Sequence, residues 1–297
     1  MTATSEWVES LHTNGTGGAR VVADSVSEWG QRLTTMEVTF HRFVLAEFNT
    51  HRAFSRNSAS SRAIPFPKQL ERVRENPAIP VEWRAEQKGM QGGDFLEPGK
   101  AEEAERQWLM ARNMAAQSAE NLAAQGAHKS IVNRLLEPFM WHTVIVTATE
   151  WDGFWHQRVS PLAQPEIRVA AEAMKTAYDA SSPAELGEGD WHLPYIREDD
   201  WWECDAQLDV LKKISVARCA RVSYLTHDGV RSLEKDVELY ERLTSADPMH
   251  ASPLEHAATP SNPETDPLGP LGNFSGWRQF RHEVEFGHAA KLGTVMG

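Results

Sequence analysis

Thr50-His51-Arg52-Ala53-Phe54-Ser55-Arg56-Asn57-Ser58-Ala59-Ser60-Ser61-Arg62 lies in the one region where the charge of this chain reverses. Residues 41–74 hold seven Lys plus Arg against two Glu, and residues 52–62 alone carry three guanidiniums and four serine hydroxyls. A phosphate is held by such a set: arginine forks, hydroxyl donors and backbone N–H groups freed by a non-helical turn. The stretch reads as a polar loop, closed by Pro65 and Pro67, with anion binding as its functional reading and a plain solvated loop as the alternative.

The surroundings are different. The chain has 297 residues, 42 Asp plus Glu against 30 Lys plus Arg, a formal net charge of −12 and 41% hydrophobic residues. That is enough chain for a real core, and too acidic a balance for a protein that coats nucleic acid. No apolar run reaches the length of a membrane span, and the polar start, with Glu6 and Glu9, does not read as a secretory signal. Cys204 and Cys219 are the only cysteines, which fits a reducing cytoplasm and excludes a disulfide scaffold or a Cys-rich zinc site. Gly15, Gly17 and Gly18 follow no strand, so they make no dinucleotide fingerprint. His282-Glu283 begins a zinc-binding pattern, but Phe286 stands where the second His is required, so no metal is expected.

Hydrophobic periodicity gives a mixed α+β chain. Met36, Val38 and Phe40 alternate with Thr35, Glu37 and Thr39 as in a half-buried strand. Phe40, Val44 and Phe48 continue as a short helix over 41–51, and 75–99 reads as a surface excursion. Ala104, Trp108, Ala111, Ala115 and Leu122 mark a long helix stopped at Gly126, followed by a short helix over 129–137. Six of the seven residues 143–149 are β-branched, predicting a strand. Thr149 with Asp152 predicts a capped helix to Arg158, and Pro165 opens the next. A further helix runs over 232–243, and 274–286 is amphipathic. Residues 183–209, with nine acids and one Arg, read as a solvated insertion that lays its tryptophans on the body. The Pro-rich 257–273 reads as a linker in what is otherwise a single domain over 1–297.

The basic stretch resembles the signature of the flavin-dependent thymidylate synthases, Arg-His-Arg, seven residues, Ser. Here it is Thr50-His51-Arg52, seven residues, Ser60, with Thr50 in place of the first Arg. His250-Ala-Ser252-Pro-Leu-Glu255-His256 resembles that family's flavin-contacting turn, and Ala220-Arg221-Val222-Ser223 its Ala-Arg-Val-Ser element. Arg134 and Arg158 match two family arginines that hold the nucleotide. In the family these two elements precede the signature, whereas here they follow it, so the motif order looks circularly permuted. Trp277 to His282 echoes the segment before the signature, with Arg281 as a candidate to replace the guanidinium missing at Thr50.

The resemblance implies a mixed sheet with helices and an FAD enzyme that methylates dUMP at C5 to dTMP. Methylenetetrahydrofolate and NADPH are its co-substrates, no cysteine nucleophile is used, and the assembly is a homotetramer with shared sites. It places Glu47, Ser58, Ala59, Ser60, Ser61, Arg62, Arg134 and Arg158 on the nucleotide, and His51, Arg52, Ala53, Ser223, His250, Ser252 and Glu255 on FAD. Arg158 and His250 are the catalytic candidates, Arg158 because a fixed cation stabilises negative charge developing on the pyrimidine. Partners are a small nucleotide and folate, with neither nucleic acid polymer nor membrane. The family has an acid at the position of Ser58 and a Gln at that of Glu47. Because a carboxylate accepts from a cytosine amine, dCMP methylation or hydroxymethylation is an alternative, and a non-catalytic nucleotide-binding relative is a third. Thr147 and Thr149 replace polar family residues at the adenine end of the flavin.

Overall fold

The alternating segment at 34–40 and the β-branched run at 143–149 become neighbouring central strands. The computed structural model describes residues 4–222, 232–262, 264–265 and 272–295. Its strands are β1 Val8–Glu9, β2 Gly18–Ser27, β3 Arg32–His41, β4 Ser55–Ser58, β5 Trp141–Ala148, β6 Ala184–Leu186, β7 Ala258–Pro260 and β8 Trp277–Gln279. The helices are α1 Leu45–Phe48, α2 Phe66–Glu75, α3 Pro98–Ala124, α4 Lys129–Val132, α5 Asp152–Arg158 and α6 Pro165–Ala180. They continue with α7 Glu198–Glu203, α8 Leu208–Arg221, α9 Leu233–Thr244 and α10 Phe280–Val295. The main sheet runs β1-β2-β3-β5-β4 with antiparallel pairing, and β6 adds a parallel pairing to the end of β2. The mixed α+β class is as expected.

Each face of the sheet is covered. Met36, Val38, Phe40, Val144, Val146 and Ala148 point to one side, where Trp151, Phe154 and Trp155 of the α5 region and Ile167, Ala170, Met174 and Ala177 of α6 pack on them. On the other side Ile145 meets Cys219 and Val222. The expectation that β3 is half-buried is therefore corrected: Thr35 and Thr39 are buried as well. Their hydroxyls tolerate this because they pair across the strands, Thr35 with Thr147 at 2.7 Å and Thr39 with Thr143 at 2.8 Å.

Other expectations also change. The basic stretch is a loop only at its ends. Its middle is edge strand β4, with Ser55 opposite Thr147 and Ser58 opposite Val144. The polar leader gives way at Gly18 to β2, a central strand. The stop at Gly126 is present, in the left-handed conformation that favours glycine (φ +84°). Thr149 does not cap α5: the N-cap is Trp151 without a side-chain bond, and the Thr149 hydroxyl accepts from the Ser275 N–H at 3.1 Å.

The acidic segment 183–209 is tied into the body. It supplies β6, a fully buried His192, and Asp200, whose buried carboxylate takes two bonds from Arg218 at 2.6 and 2.8 Å. Trp191 packs edge-on against Phe280, while Trp202 stays 77% exposed. The Pro-rich segment begins as β7, paired with β8. No helix among the described residues is long and apolar enough to cross a membrane.

Candidate functional site

The turn after α1 carries the first cluster. Arg158, at the end of α5, donates from Nε to His51 Nε2 at 3.0 Å, and from Nη2 to the Thr50 hydroxyl at 3.0 Å and the Glu47 carbonyl at 3.2 Å. Since the guanidinium can only donate, His51 is neutral and its proton sits on Nδ1. Burial, then Arg158 and Arg56, pull the His51 pKa down to about 4. Phe54 and Phe154 flank the ring at 5.7 and 4.8 Å. Thr50, the departure from the family signature, thus serves as an acceptor for Arg158. Arg281 does not fill that position, because its guanidinium is held by Glu255 at 2.5 Å and Glu285 at 2.8 Å. The Glu47 carboxylate contributes no bond to Arg158, and its buried Oε2 has no partner among the described residues.

Strand β4 leads to the second cluster. Ser58 and Ala59 continue along β5, with the Ala59 N–H donating to the Thr143 carbonyl at 2.9 Å. Ser60 then closes a turn, its carbonyl accepting from Ala63 and Ile64 and its hydroxyl from the Arg62 N–H at 3.3 Å. Asn133 braces the turn through the Ser61 and Ile64 carbonyls at 2.7 and 3.1 Å, and Lys129 donates to the Ala63 carbonyl at 2.9 Å. Arg134 follows Asn133 in the chain, which places its backbone near the turn that carries Ser60, Ser61 and the exposed Arg62, and its guanidinium is paired with Glu137 at 2.7 Å. Arg158 is not part of that cluster. The two arginine groups lie at opposite ends of β4, whose four residues alone extend roughly 10 Å.

Between the two ends, segments far apart in sequence converge. Ser252 donates to Asn57 Oδ1 at 3.1 Å, and Asn57 Nδ2 donates to the Cys219 carbonyl at 2.8 Å. The signature strand, the turn at 252–255 and the end of α8 therefore meet on one buried amide. Gln279 joins them, donating to Ser55 at 2.9 Å and to the Glu255 carbonyl at 3.2 Å, while Asn273 donates to the Ala53 carbonyl at 3.0 Å. Arg52 and His250 are exposed. Arg56 is half-buried, and burial lowers its pKa although Glu255 opposes this. Its guanidinium makes a long hydrogen bond, 3.4 Å, to the His51 carbonyl. Ser223 lies outside the described residues. Arg221, in the same element, is committed to Asp236 at 2.7 Å.

Behind this surface runs a fully buried polar seam. Ser25 Oγ lies 2.9 Å from His192 Nδ1, and His192 Nε2 lies 2.8 Å from Thr35 Oγ1. Thr35 meets Thr147 at 2.7 Å, and Thr147 meets His256 Nδ1 at 2.8 Å. Thr147 is therefore part of the core and offers nothing to a flavin. Burial, with His256 a lesser cause, pushes His192 down to about 3, and burial alone does the same to His256. Cys219 and Cys204 are buried and free, and burial raises both thiols.

Sequence reasoning missed Asn57, Asn133, Lys129, Arg56 and Gln279 as members of the site. Asn57 and Arg56 stood in the quoted signature. Gln279 stood in the 277–282 echo, and Asn133 and Lys129 had no local signal, because their partners are 66 to 72 residues away.

Two solved structures of the UMP/dUMP methylase PolB from Streptomyces cacaoi are similar to this chain. One, bound with 5-Br dUMP, has 20% identity over 50% of this chain and 66% of that one, with a TM-score of 0.40. The other, bound with 5-Br UMP, has 16% identity over 54% and 87%, with a TM-score of 0.44. The chain thus spans a little under two thirds of the first. No curated protein matches it. The family model described as thymidylate synthase complementing protein matches residues 24–184, more than half of the sequence, and the chain belongs to that family.

Proposed function

We propose that the protein is an FAD-dependent thymidylate synthase, converting dUMP, methylenetetrahydrofolate, NADPH and a proton to dTMP, tetrahydrofolate and NADP+. The observation that carries this reading is the Asn57 junction, where the signature strand meets the Ser252 turn and the end of α8. Three motif groups matched separately in the sequence share one place. The match to the family over 24–184 supports the reaction class, and the raised, buried thiols support a mechanism without a cysteine nucleophile. They also fit a reducing compartment, which we take to be the cytoplasm.

The donor set fits an anionic dinucleotide. Arg56 is a half-buried cation that feels Glu255 but makes no ion pair with it, Arg52 is exposed beside it, and the His51 Nδ1–H points away from the bond to Arg158. These residues, with Ala53, His250, Ser252 and Glu255, would hold FAD, which when bound supplies reducing equivalents to the pyrimidine. Ser60, Ser61, Arg62 and Arg134 bind the nucleotide phosphate, which carries about two negative charges. Arg158 stabilises charge on the base, and His51 and Thr50 fix its guanidinium for that role. Because Arg158 and Arg62 lie at opposite ends of β4, we place them on one nucleotide only across subunits, as in a homotetramer. We also infer that the motif order is circularly permuted within one domain. The family match ends at 184, yet the later motifs return to β4.

The unpartnered Glu47 Oε2 favours one alternative, in which this carboxylate accepts from the amine of dCMP. The deciding experiment offers dUMP and dCMP together with FAD, methylenetetrahydrofolate and NADPH, and reads products by mass. A methyl gain on dUMP alone is expected. A gain on dCMP, or a hydroxymethyl mass, would transfer the assignment to the Glu47 reading.

A further inference from the structure

Glu255 ends the 252–255 turn, and that turn is tied to both neighbours of Arg56. Ser252 bonds Asn57 at 3.1 Å, while Gln279 bridges the Glu255 carbonyl at 3.2 Å to Ser55 at 2.9 Å. A carboxylate is therefore fixed close to a half-buried guanidinium, and Glu255 raises the Arg56 pKa against the larger effect of burial. The two nevertheless make no ion pair. Arg281, the second residue of α10, reaches the carboxylate instead, donating from Nη1 to Glu255 Oε1 at 2.5 Å and from Nε to Glu285 at 2.8 Å. The start of α10 is anchored for this contact, because the Phe280 N–H donates to the Ala257 carbonyl at 2.8 Å.

A carboxylate and a phosphate compete for the same N–H edge of a guanidinium. Without Arg281, Arg56 would be the cation left beside Glu255, and a fork closed on a carboxylate cannot take an anionic ligand.

We propose that Arg281 is a positioning residue of the anion site: by saturating Glu255, it keeps the Arg56 fork open for the diphosphate of a dinucleotide. The identity of that ligand rests on the FAD reading above. The 277–282 segment thereby gains a role of its own, since its arginine sets the charge of the 252–255 turn and does not stand in for the guanidinium missing at Thr50.

The test measures binding of FAD by flavin fluorescence, and of ADP, a diphosphate without the flavin, by calorimetry. The full chain is compared as wild type, Arg281→Gln, Arg281→Lys, Glu255→Gln and the R281Q/E255Q double variant. R281Q should weaken both ligands roughly tenfold, the loss of one charge-assisted contact, and its binding should fall less steeply with salt. R281K keeps the charge and should stay within about threefold of wild type. In the E255Q background the competitor is gone, so adding R281Q should cost nothing further. A loss that persists there means that Arg281 touches the ligand or merely supports the fold, and overturns the proposal. R281Q binding equal to wild type overturns it as well. Arg281→Met gives the same reading should R281Q fail to fold. If wild type binds ADP but not FAD, and the variants follow the expected order with ADP, the role of Arg281 stands and the flavin reading falls. If neither ligand binds, both fall.

Discussion

Lowering the pH from 7 to 5 should destabilise this protein, chiefly through its buried histidines. His142, His192 and His256 are each no more than 1% exposed, and each is held near 3 by burial, with Arg42 adding to the effect at His142 and His256 at His192. In the unfolded chain they titrate near 6.5. A group whose pKa is lower in the folded state binds fewer protons there, so its stabilisation is complete above about 6.5. It is lost as pH falls from that value toward 3. Between pH 7 and 5 the loss is about 2 kcal/mol per histidine, or about 6 kcal/mol for the three, against a typical total stability of about 5–15 kcal/mol. This window lies above the carboxylate range, which isolates the histidines. Urea unfolding followed by tryptophan fluorescence at half-unit pH steps measures the slope. His142→Gln should reduce the loss by about 2 kcal/mol, whatever it does to absolute stability. Urea midpoints that stay constant from pH 7 to 5, or an H142Q slope equal to wild type, would refute the reasoning.

Other consequences follow from the site. If nucleotide sites are shared between subunits, Arg62→Ala and Arg158→Ala should each abolish turnover, and mixing the two after partial denaturation should restore part of it. A mixture as inactive as its components would place each site within one protomer. Asn57→Leu strands the Cys219 carbonyl and leaves Ser252 unheld, and should lower stability by about 2–3 kcal/mol in urea titrations. Cys204 and Cys219 should resist a thiol reagent in the native state and both react in urea, and the double Ser/Ala variant should keep its activity. Glu47→Gln should leave phosphate affinity unchanged while altering the ratio of dUMP to dCMP turnover.

The parts of the fold visible in the sequence were those whose signal is local. The β-branched run became β5, the glycine at 126 stopped α3, and Pro165 opened α6. Strand β2 was missed because both of its faces are buried, so Ser25 and Asp24 interrupt the apolar pattern although they are fully enclosed. Strand β4 was read as loop because its serine, arginine and asparagine side chains are those of a turn. What makes it a strand is β5, almost ninety residues later. The acidic segment misled for the same reason. Its nine carboxylates announce solvent, but Asp200 has Arg218 and His192 has Ser25 and Thr35, and pairings at such distance have no periodicity. In the site, the signature residues could be picked out one by one. Their division between the two ends of β4 could not, because it depends on how far a strand extends.

The seam from Ser25 to His256 also bears on how this sequence can change over time. Each hydroxyl or ring nitrogen along it both satisfies and depends on its neighbour, so replacing any one with an apolar residue strands the next in a dry interior. Single substitutions there should be purged, and the positions 25, 35, 147, 192 and 256 should drift only in concert. They sit on three strands and on two later segments that hold the 252–255 turn against the sheet. A lineage that rewired its substrate pocket freely would still carry this row of five as a shared inheritance.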